Sequence, residues 1–418
     1  MEERTDQNLH RLDLQGGIMP RDGGIYPFMR ARQATLQLVE PLSEEDMLLS
    51  STPDTSPPKW HLAHTTWFFE SFILREFEPN FEPFHQRFDY LFNSYYETLG
   101  DFLPKKDRGL LIRPTLNQII DYRRQVDNRI FNLLQVTTGE DLEIISALLE
   151  LGIHHEKQHQ ELLLMDIKLN FFSNPLLPAY APIPLALALH PQRTQAAEQI
   201  WGEYPGGLVQ IGADPDAGFC YDNEGGVHRV WIEPFQFSLD LVTNAEFMQF
   251  IEDGGYEDPQ YWLSDGWAAV QKNKWKHPLY WIDENGAWKE FTLYGQRELE
   301  LDEPVSHVSY YEAQAFAKWA EARLPTEFEW EYVSGLEGYP FHHGKLWEWT
   351  QSAYLPYPGH EAVSGALEEY NFKFMCNQFV LRGGSFATPP EHYRHTYRNF
   401  YYPDMRWQFC GFRLARDV

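Results

Sequence analysis

Two histidines four residues apart, His155 and His159, stand inside the stretch GIHHEKQHQELLLMD that runs from Gly152 to Asp166. Good helix formers flank them, Leu148 to Leu151 before and Glu161 to Met165 after, so both imidazoles fall on one helix face, one above the other. Such a pair can hold a single metal ion. The same letters spell His-Glu-x-x-His, with Glu156 in the place of a general base. A further donor is available upstream, where WHLAHTTWFFESFILREF carries His61 and His64 among Trp60, Trp67, Phe68 and Phe72. Alone, either histidine reads as a core or boundary imidazole satisfied by hydrogen bonds. Beside the downstream pair, His64, which lies within the aromatic face, becomes the candidate third ligand. Three neutral imidazoles from two helices form a facial set that leaves coordination positions open for substrate and oxygen.

The elements that must position these residues are helical. A helical pattern runs from Ala31 to about Leu42, a turn-rich STPDTSPP segment follows, and a second helix starts at Trp60. After an irregular aromatic stretch from Phe77 to Phe102, a third helix carries apolar residues at Leu116, Ile119, Ile120, Val126, Ile130, Leu133 and Leu134, with Pro114 near its first turn. The fourth, Asp141 to about Phe172, bears the His155/His159 pair. Four helices with short or irregular connections predict a bundle with its metal site on facing helices. The prolines at 175, 178, 182 and 184 break the pattern and mark a linker, with a boundary near residue 195. The expected organisation is an N-terminal arm over residues 1–25, a helical domain over 26–195 and a second domain over 196–418.

Composition narrows the class. With 418 residues the chain is long enough for two domains of ordinary core size. A formal net charge of −27 argues against nucleic-acid backbones and anionic membranes as partners. Three cysteines without a CxxC pair suggest neither a disulfide framework nor a thiolate zinc site, which is the usage of a reducing compartment. The N-terminus is polar and acidic, and no apolar run approaches the roughly 18 residues of a membrane span. A cytoplasmic location is expected.

The second half has short strand-like runs, GGLVQIGA and HRVWIEPFQFSLDLVT, separated by Gly, Asp and Asn turns, and one clear helix from about Tyr310 to Ala322. RLPTEFEWEYVSG is then followed by LWEWT, LRGGSF and GFRLAR. Singly these read as Gly and Trp turns. In this order they resemble the formylglycine-generating-enzyme-like (sulfatase-modifying factor) domain, a loop-rich variant of the C-type-lectin architecture. A DinB-like four-helix bundle carrying HLAHTTWFFE and HHEKQHQE, joined to such a domain ending in RNFYYPDMRWQFCGFRLAR, resembles the ergothioneine-pathway sulfoxide synthases (EgtB type) over nearly the whole chain. The implied fold class is α+β.

The resemblance implies a non-haem Fe(II) enzyme, with His64, His155 and His159 as ligands. It would use O2 to join cysteine, or γ-glutamylcysteine, to the imidazole of N-α-trimethylhistidine (hercynine), giving a sulfoxide. It implies Gln158 beside the substrate imidazole, and Asn399 and Phe400 at the trimethylammonium group. Tyr401, Tyr402, Trp407 and Phe412 supply aromatic density suited to a quaternary cation, which donates no hydrogen bond. Some relatives carry an Asp where this chain has Tyr401, so cation–π contact replaces a carboxylate here. Tyr95 and Tyr96 resemble a tyrosine pair of the branch that acts on free cysteine, where a phenol gives a proton or an electron during O2 reduction. Substrate carboxylates need cationic partners; Arg87, Arg108, Arg113, Arg382 and Arg398 are the candidates, and spacing does not choose among them.

Rival readings lack residues they need. A zinc peptidase requires a third ligand shortly downstream, and the first glutamate beyond the linker is Glu198. A DinB-type thiol transferase leaves the second half unemployed. A formylglycine-generating enzyme needs a cysteine pair just after the RGGS turn, where ATPPEHYR stands, with Thr388 and Tyr393; Cys376 and Cys410 read as structural. An ovothiol-type synthase, acting on unmethylated histidine, remains the alternative within the class. Homo-oligomers are left open.

Overall fold

The computed structural model describes residues 24–181, 199–337, 344–360 and 371–418. The chain forms two compact units, one built from residues up to Tyr180 with Pro215–Asp222 and the described part of Glu361–Lys373, the other from the rest. A single cut is what the sequence suggested; instead, two short segments of the second half pack with the helices. The expected arm up to residue 23 and the boundary near 195 lie outside the described residues, while Ile25, placed in the arm by the sequence, is already helical.

The first unit is the four-helix bundle: α1 (Ile25–Val39), α2 (Pro58–Phe69), α3 (Leu116–Val136) and α4 (Glu140–Phe172). Helix α1 begins six residues earlier than the apolar pattern suggested, after Gly24 with φ 81°. All twelve residues of α2 are buried, because it packs against both α3 and α4. Pro58 opens it, where a missing N–H costs nothing. It continues through a π-helical turn, Glu70–Leu74, to Phe77. Helix α3 is started by a reciprocal Thr115/Gln118 capping box, so Pro114 precedes the cap rather than sitting in the first turn. In α4, Glu140, Asp141 and Glu143 place negative charge at the positive end of a 33-residue helix. Gly152 sets how closely α2 and α4 approach: a Cβ there would lie 2.3 Å from the Phe69 ring, which Phe28 holds edge-on.

Glu156 joins all four helices. Its buried carboxylate accepts from Arg32 Nη1 of α1 at 2.9 Å, Arg123 Nη2 of α3 at 2.8 Å and Thr35 Oγ1 at 2.6 Å. Both arginines also donate to Thr66 Oγ1 of α2.

The second unit is built of short strands. β1 (Trp201–Tyr204), β4 (Phe235–Ser238) and β12 (Ala415–Asp417) form one antiparallel sheet in the order β1-β4-β12; β2 (Gly207–Ile211) and β3 (His228–Ile232) pair as a ribbon; β5 (Trp281–Glu284), β6 (Ala287–Thr292) and β7 (Gly295–Glu298) form a meander. The fourth sheet runs β10 (Asn399–Tyr401), β9 (Phe379–Arg382), β8 (Trp347–Ala353) and β11 (Cys410–Gly411), with β8 and β11 parallel. Four helices accompany them, α5 (Asn244–Glu252), α6 (Ser264–Asn273), α7 (Tyr310–Trp319) and α8 (Glu327–Ser334). Helix α8 is the EFEWEYVS run that reads as a turn motif; a Thr326/Glu329 capping box nucleates it. Trp330 and Val333 of α8 bury against Ile232, Phe235 and Phe237. The RGGSF turn needs its glycines, since Gly383 and Gly384 have φ of 101° and 71°.

Beneath this core lies an ion cluster. Arg398 Nε and Nη2 donate to the two oxygens of Glu327 at 2.8 and 3.0 Å, while Arg382 Nη2 donates to Glu331 at 2.5 Å and Glu327 at 3.3 Å.

Candidate metal centre

α2 and α4 bring His64, His155 and His159 together, with one ligand-capable atom of each within 4.8 Å of the others. All three are buried. His64 lies between two indoles, Trp60 at 4.5 Å and Trp67 at 5.7 Å between ring centroids, both nearly parallel to it. Its Nδ1 donates to the Phe92 carbonyl at 2.6 Å. A carbonyl only accepts, so the proton is on Nδ1 and Nε2 carries a lone pair. That lone pair faces His155 Nε2 at 3.2 Å. Two ligands about 2 Å from one ion, at roughly a right angle, stand about 3 Å apart. Phe68 covers the His155 ring at 4.5 Å.

Burial holds the three imidazoles neutral. It pushes His155 down to about 3, and it pushes His64 and His159 well below the ordinary histidine range, helped in both by the neighbouring His155. Neutral imidazoles give their lone pairs to a metal without first losing a proton. The donor set therefore fits a divalent ion of intermediate softness.

Glu156 is not a base. Burial alone would raise its carboxyl, but Arg32 and Arg123, with hydrogen bonds from Arg123 and Thr35, outweigh it and bring the group down to about 2. Both oxygens are engaged, so the peptidase spelling has no peptidase geometry. His154, beside His155, stacks on Phe219 at 3.8 Å with the two rings nearly parallel.

His61 is the residue sequence reasoning undervalued. Its Nδ1 meets His159 Nδ1 at 2.8 Å and its Nε2 meets Asp166 Oδ2 at 3.1 Å, while Ser56 N donates to that same oxygen at 2.8 Å. The signal was present, because Asp166 lies two helical turns beyond His159 on the same stripe, and His61 one turn before His64.

The remaining candidates divide. Gln158 is half-buried on α4, one residue before His159. Tyr96 is fully buried against Trp67 and Phe72, with Tyr95 stacked on it at 4.6 Å. Asn93 closes this turn, its amide donating to Tyr96 O and its oxygen accepting from Tyr96 N. Arg108 is buried over the Trp60 ring at 3.5 Å and donates to Ser56 Oγ; burial pushes its guanidinium down to about 9. Arg87 and Arg113 are exposed.

In the second unit, Asn399 and Phe400 are half-buried on β10, and Phe400 stacks on Tyr354 at 4.1 Å. Phe412 is fully buried edge-on against Phe316 and Phe247, leaving no open face for a ligand. Arg398, with Arg382, is committed to the buried glutamates, so its charge is answered inside the unit. Cys410 donates to the Val308 carbonyl and burial pushes its thiol up, away from thiolate chemistry.

The first unit matches the DinB superfamily over residues 28–163, and the sulfatase-modifying factor enzyme 1-like domain matches 187–342 and 341–418. The hercynine oxygenase of Mycolicibacterium smegmatis is 30% identical over 445 residues, covering 93% of this chain and 97% of its own. That of Mycobacterium tuberculosis is 31% identical with the same coverages. The chain belongs to the hercynine oxygenase family. It is an enzyme of the oxygenase class, and family membership accounts for both halves. The formylglycine-generating enzyme of Streptomyces coelicolor is 30% identical but covers only 38% of this chain. Among the described residues no helix is long and apolar enough to cross a membrane.

Proposed function

We propose that this hercynine oxygenase family member is an Fe(II)- and O2-dependent sulfoxide synthase that joins the sulfur of cysteine to the imidazole of hercynine. The observation that carries it is the neutral three-histidine set on α2 and α4, in a chain that hercynine oxygenases match over 93% of its length. The thiol S–H and a ring C–H break, a C–S bond forms, one oxygen of O2 stays on sulfur, and the other leaves as water with both hydrogens. A bound ferrous ion would supply the redox chemistry with O2 that side chains lack.

The chain's own residues bind and steer. Trp60, Trp67 and Phe68 wall the histidines against water, and the Phe92 carbonyl fixes the His64 tautomer. Among the arginines, Arg108 suits a substrate carboxylate: it is a buried cation stacked on Trp60, and among the described residues no carboxylate pairs with it within 4 Å. A phenol of the Tyr95/Tyr96 pair would hold the proton delivered at its Oη, Gln158 would bond a ring nitrogen of the imidazole, and Asn399 and Phe400 would receive the trimethylammonium group.

Anaerobic loading with Fe(II), exposure to O2 with hercynine plus cysteine, then with γ-glutamylcysteine, and mass spectrometry test this. A product heavier than the two substrates combined by one oxygen and lighter by two hydrogens is expected with cysteine. No sulfoxide from either thiol would overturn the assignment, and attachment at another ring carbon, read by NMR, would favour the ovothiol-type reaction.

A further inference from the structure

His61 occupies an unusual position: both of its ring nitrogens are used, neither by a candidate metal site. Nε2 lies 3.1 Å from Asp166 Oδ2 and Nδ1 lies 2.8 Å from His159 Nδ1. The protons along this line can be assigned. Asp166 is anchored by the Ser56 N–H on Oδ2, and an ionised carboxylate only accepts, so His61 Nε2 carries a hydrogen and donates it. A neutral His61 then has a bare Nδ1, which must accept from His159 Nδ1–H. That leaves the lone pair of His159 on Nε2.

We propose that Asp166 and His61 form a positioning relay that fixes the tautomer and ring angle of His159 and makes its Nε2 a stronger metal donor. It rests on the reading that the three histidines hold a metal. Carboxylates commonly orient metal-bound imidazoles directly. Here a second imidazole is interposed, because Asp166 lies two turns along α4 from His159 and cannot reach its Nδ1 unaided. His61, one turn before His64 on α2, bridges the gap. The relay also divides labour: His64 is held by a neutral carbonyl and His159 by a carboxylate two bonds removed, so the two donors differ in basicity.

Full-length wild type, His61→Leu, His61→Asn and Asp166→Asn are titrated anaerobically with Co(II) and with Fe(II) against a chelator, recording the Co(II) visible bands. His61→Leu is expected to weaken metal binding about 10- to 100-fold, the size seen when partners of ligating imidazoles are removed, and to shift the Co(II) bands. His61→Asn, whose amide oxygen can accept near the Nδ1 position, should recover most of the affinity, which a mere packing role would not produce. Asp166→Asn, of equal size, should lower affinity several-fold and decides the matter if His61→Leu does not fold. Unchanged affinity and spectrum in folded Asp166→Asn and His61→Leu would overturn the relay while leaving the metal site intact. Failure of wild type to bind either ion would instead remove the metal reading itself.

Discussion

Each unit buries a glutamate between two arginines, and the two centres differ in what they hold together. In the helical unit Glu156 is clasped by Arg32 and Arg123, each from a different helix, and Arg32 also pairs with Asp127. In the strand-rich unit Glu327 takes Arg398 and shares Arg382 with Glu331, and the Tyr357 hydroxyl donates to it as well. The first centre positions four regular helices, and with them the face one residue away that carries His155. The second ties loops and short strands that make few backbone ladders of their own. A buried ion pair is weak evidence for net stability, yet breaking one partner is costly because the other charge stays buried. The two glutamates therefore test whether the same device serves geometry in one place and cohesion in the other.

The largest effect is expected at the metal centre itself. His155→Ala should abolish tight metal binding and turnover while leaving the helical circular dichroism signal near wild type, because in the proposed function the imidazole is a ligand rather than a brace. Full metal content in this variant would break the three-histidine assignment. Glu156→Gln comes next. It should cost about 3–5 kcal/mol of stability, read from the denaturant midpoint, because the buried Arg123 loses the carboxylate that answers it and Arg32 is left with Asp127 alone. If Glu156 were a general base, the variant would instead keep its stability and metal and lose only turnover.

Gly152→Ala should cost less, about 1–3 kcal/mol. The alanine gains up to about 1 kcal/mol in helix propensity, but its methyl meets the buried Phe69 ring, and this clash wins. Metal affinity should fall with it, since α2 and α4 are pushed apart one turn from His155. A stabilised variant would show that the Phe69 ring yields freely.

The smallest effect is one of pH dependence at Glu327. Burial would raise this carboxyl, but Arg398 and Arg382 outweigh it and hold the group below the ordinary range. A depressed folded value contributes stability that is fully present above the unfolded value of about 4.3 and is lost as pH falls through the folded value. The stability gap between wild type and Glu327→Gln should therefore be constant from pH 8 to about 5 and close in acid. Tryptophan fluorescence reports it, since most of the 14 tryptophans lie after residue 200. A gap that widens in acid would reverse the sign assigned here.

Much of the helical unit was legible in the sequence because helix periodicity is local. The predicted α4 span differs from the observed one by a single residue at its start, and the His155/His159 face follows from the repeat alone. Helix α8 was missed, although its Thr326/Glu329 box is a local signal, because tryptophan and glycine neighbours masked an eight-residue helix. Phe412 and Arg398 were candidates by residue type; whether a ring has an open face, or a guanidinium an unanswered charge, depends on neighbours such as Phe247 and Glu327 that lie far along the chain.

By itself, the sequence determined the four helices, the two-part organisation, the histidine pair and the family resemblance, since each rests on spacing or motif order within short windows. Only the tertiary structure decided that Glu156 is a four-helix clasp and that His61 connects His159 to Asp166. Both depend on contacts across about a hundred residues or more, Glu156 with Arg32 and His61 with His159 and Asp166. Such contacts form only where packed helices bring distant side chains to hydrogen-bond distance, and no local pattern encodes which of several buried polar groups will meet.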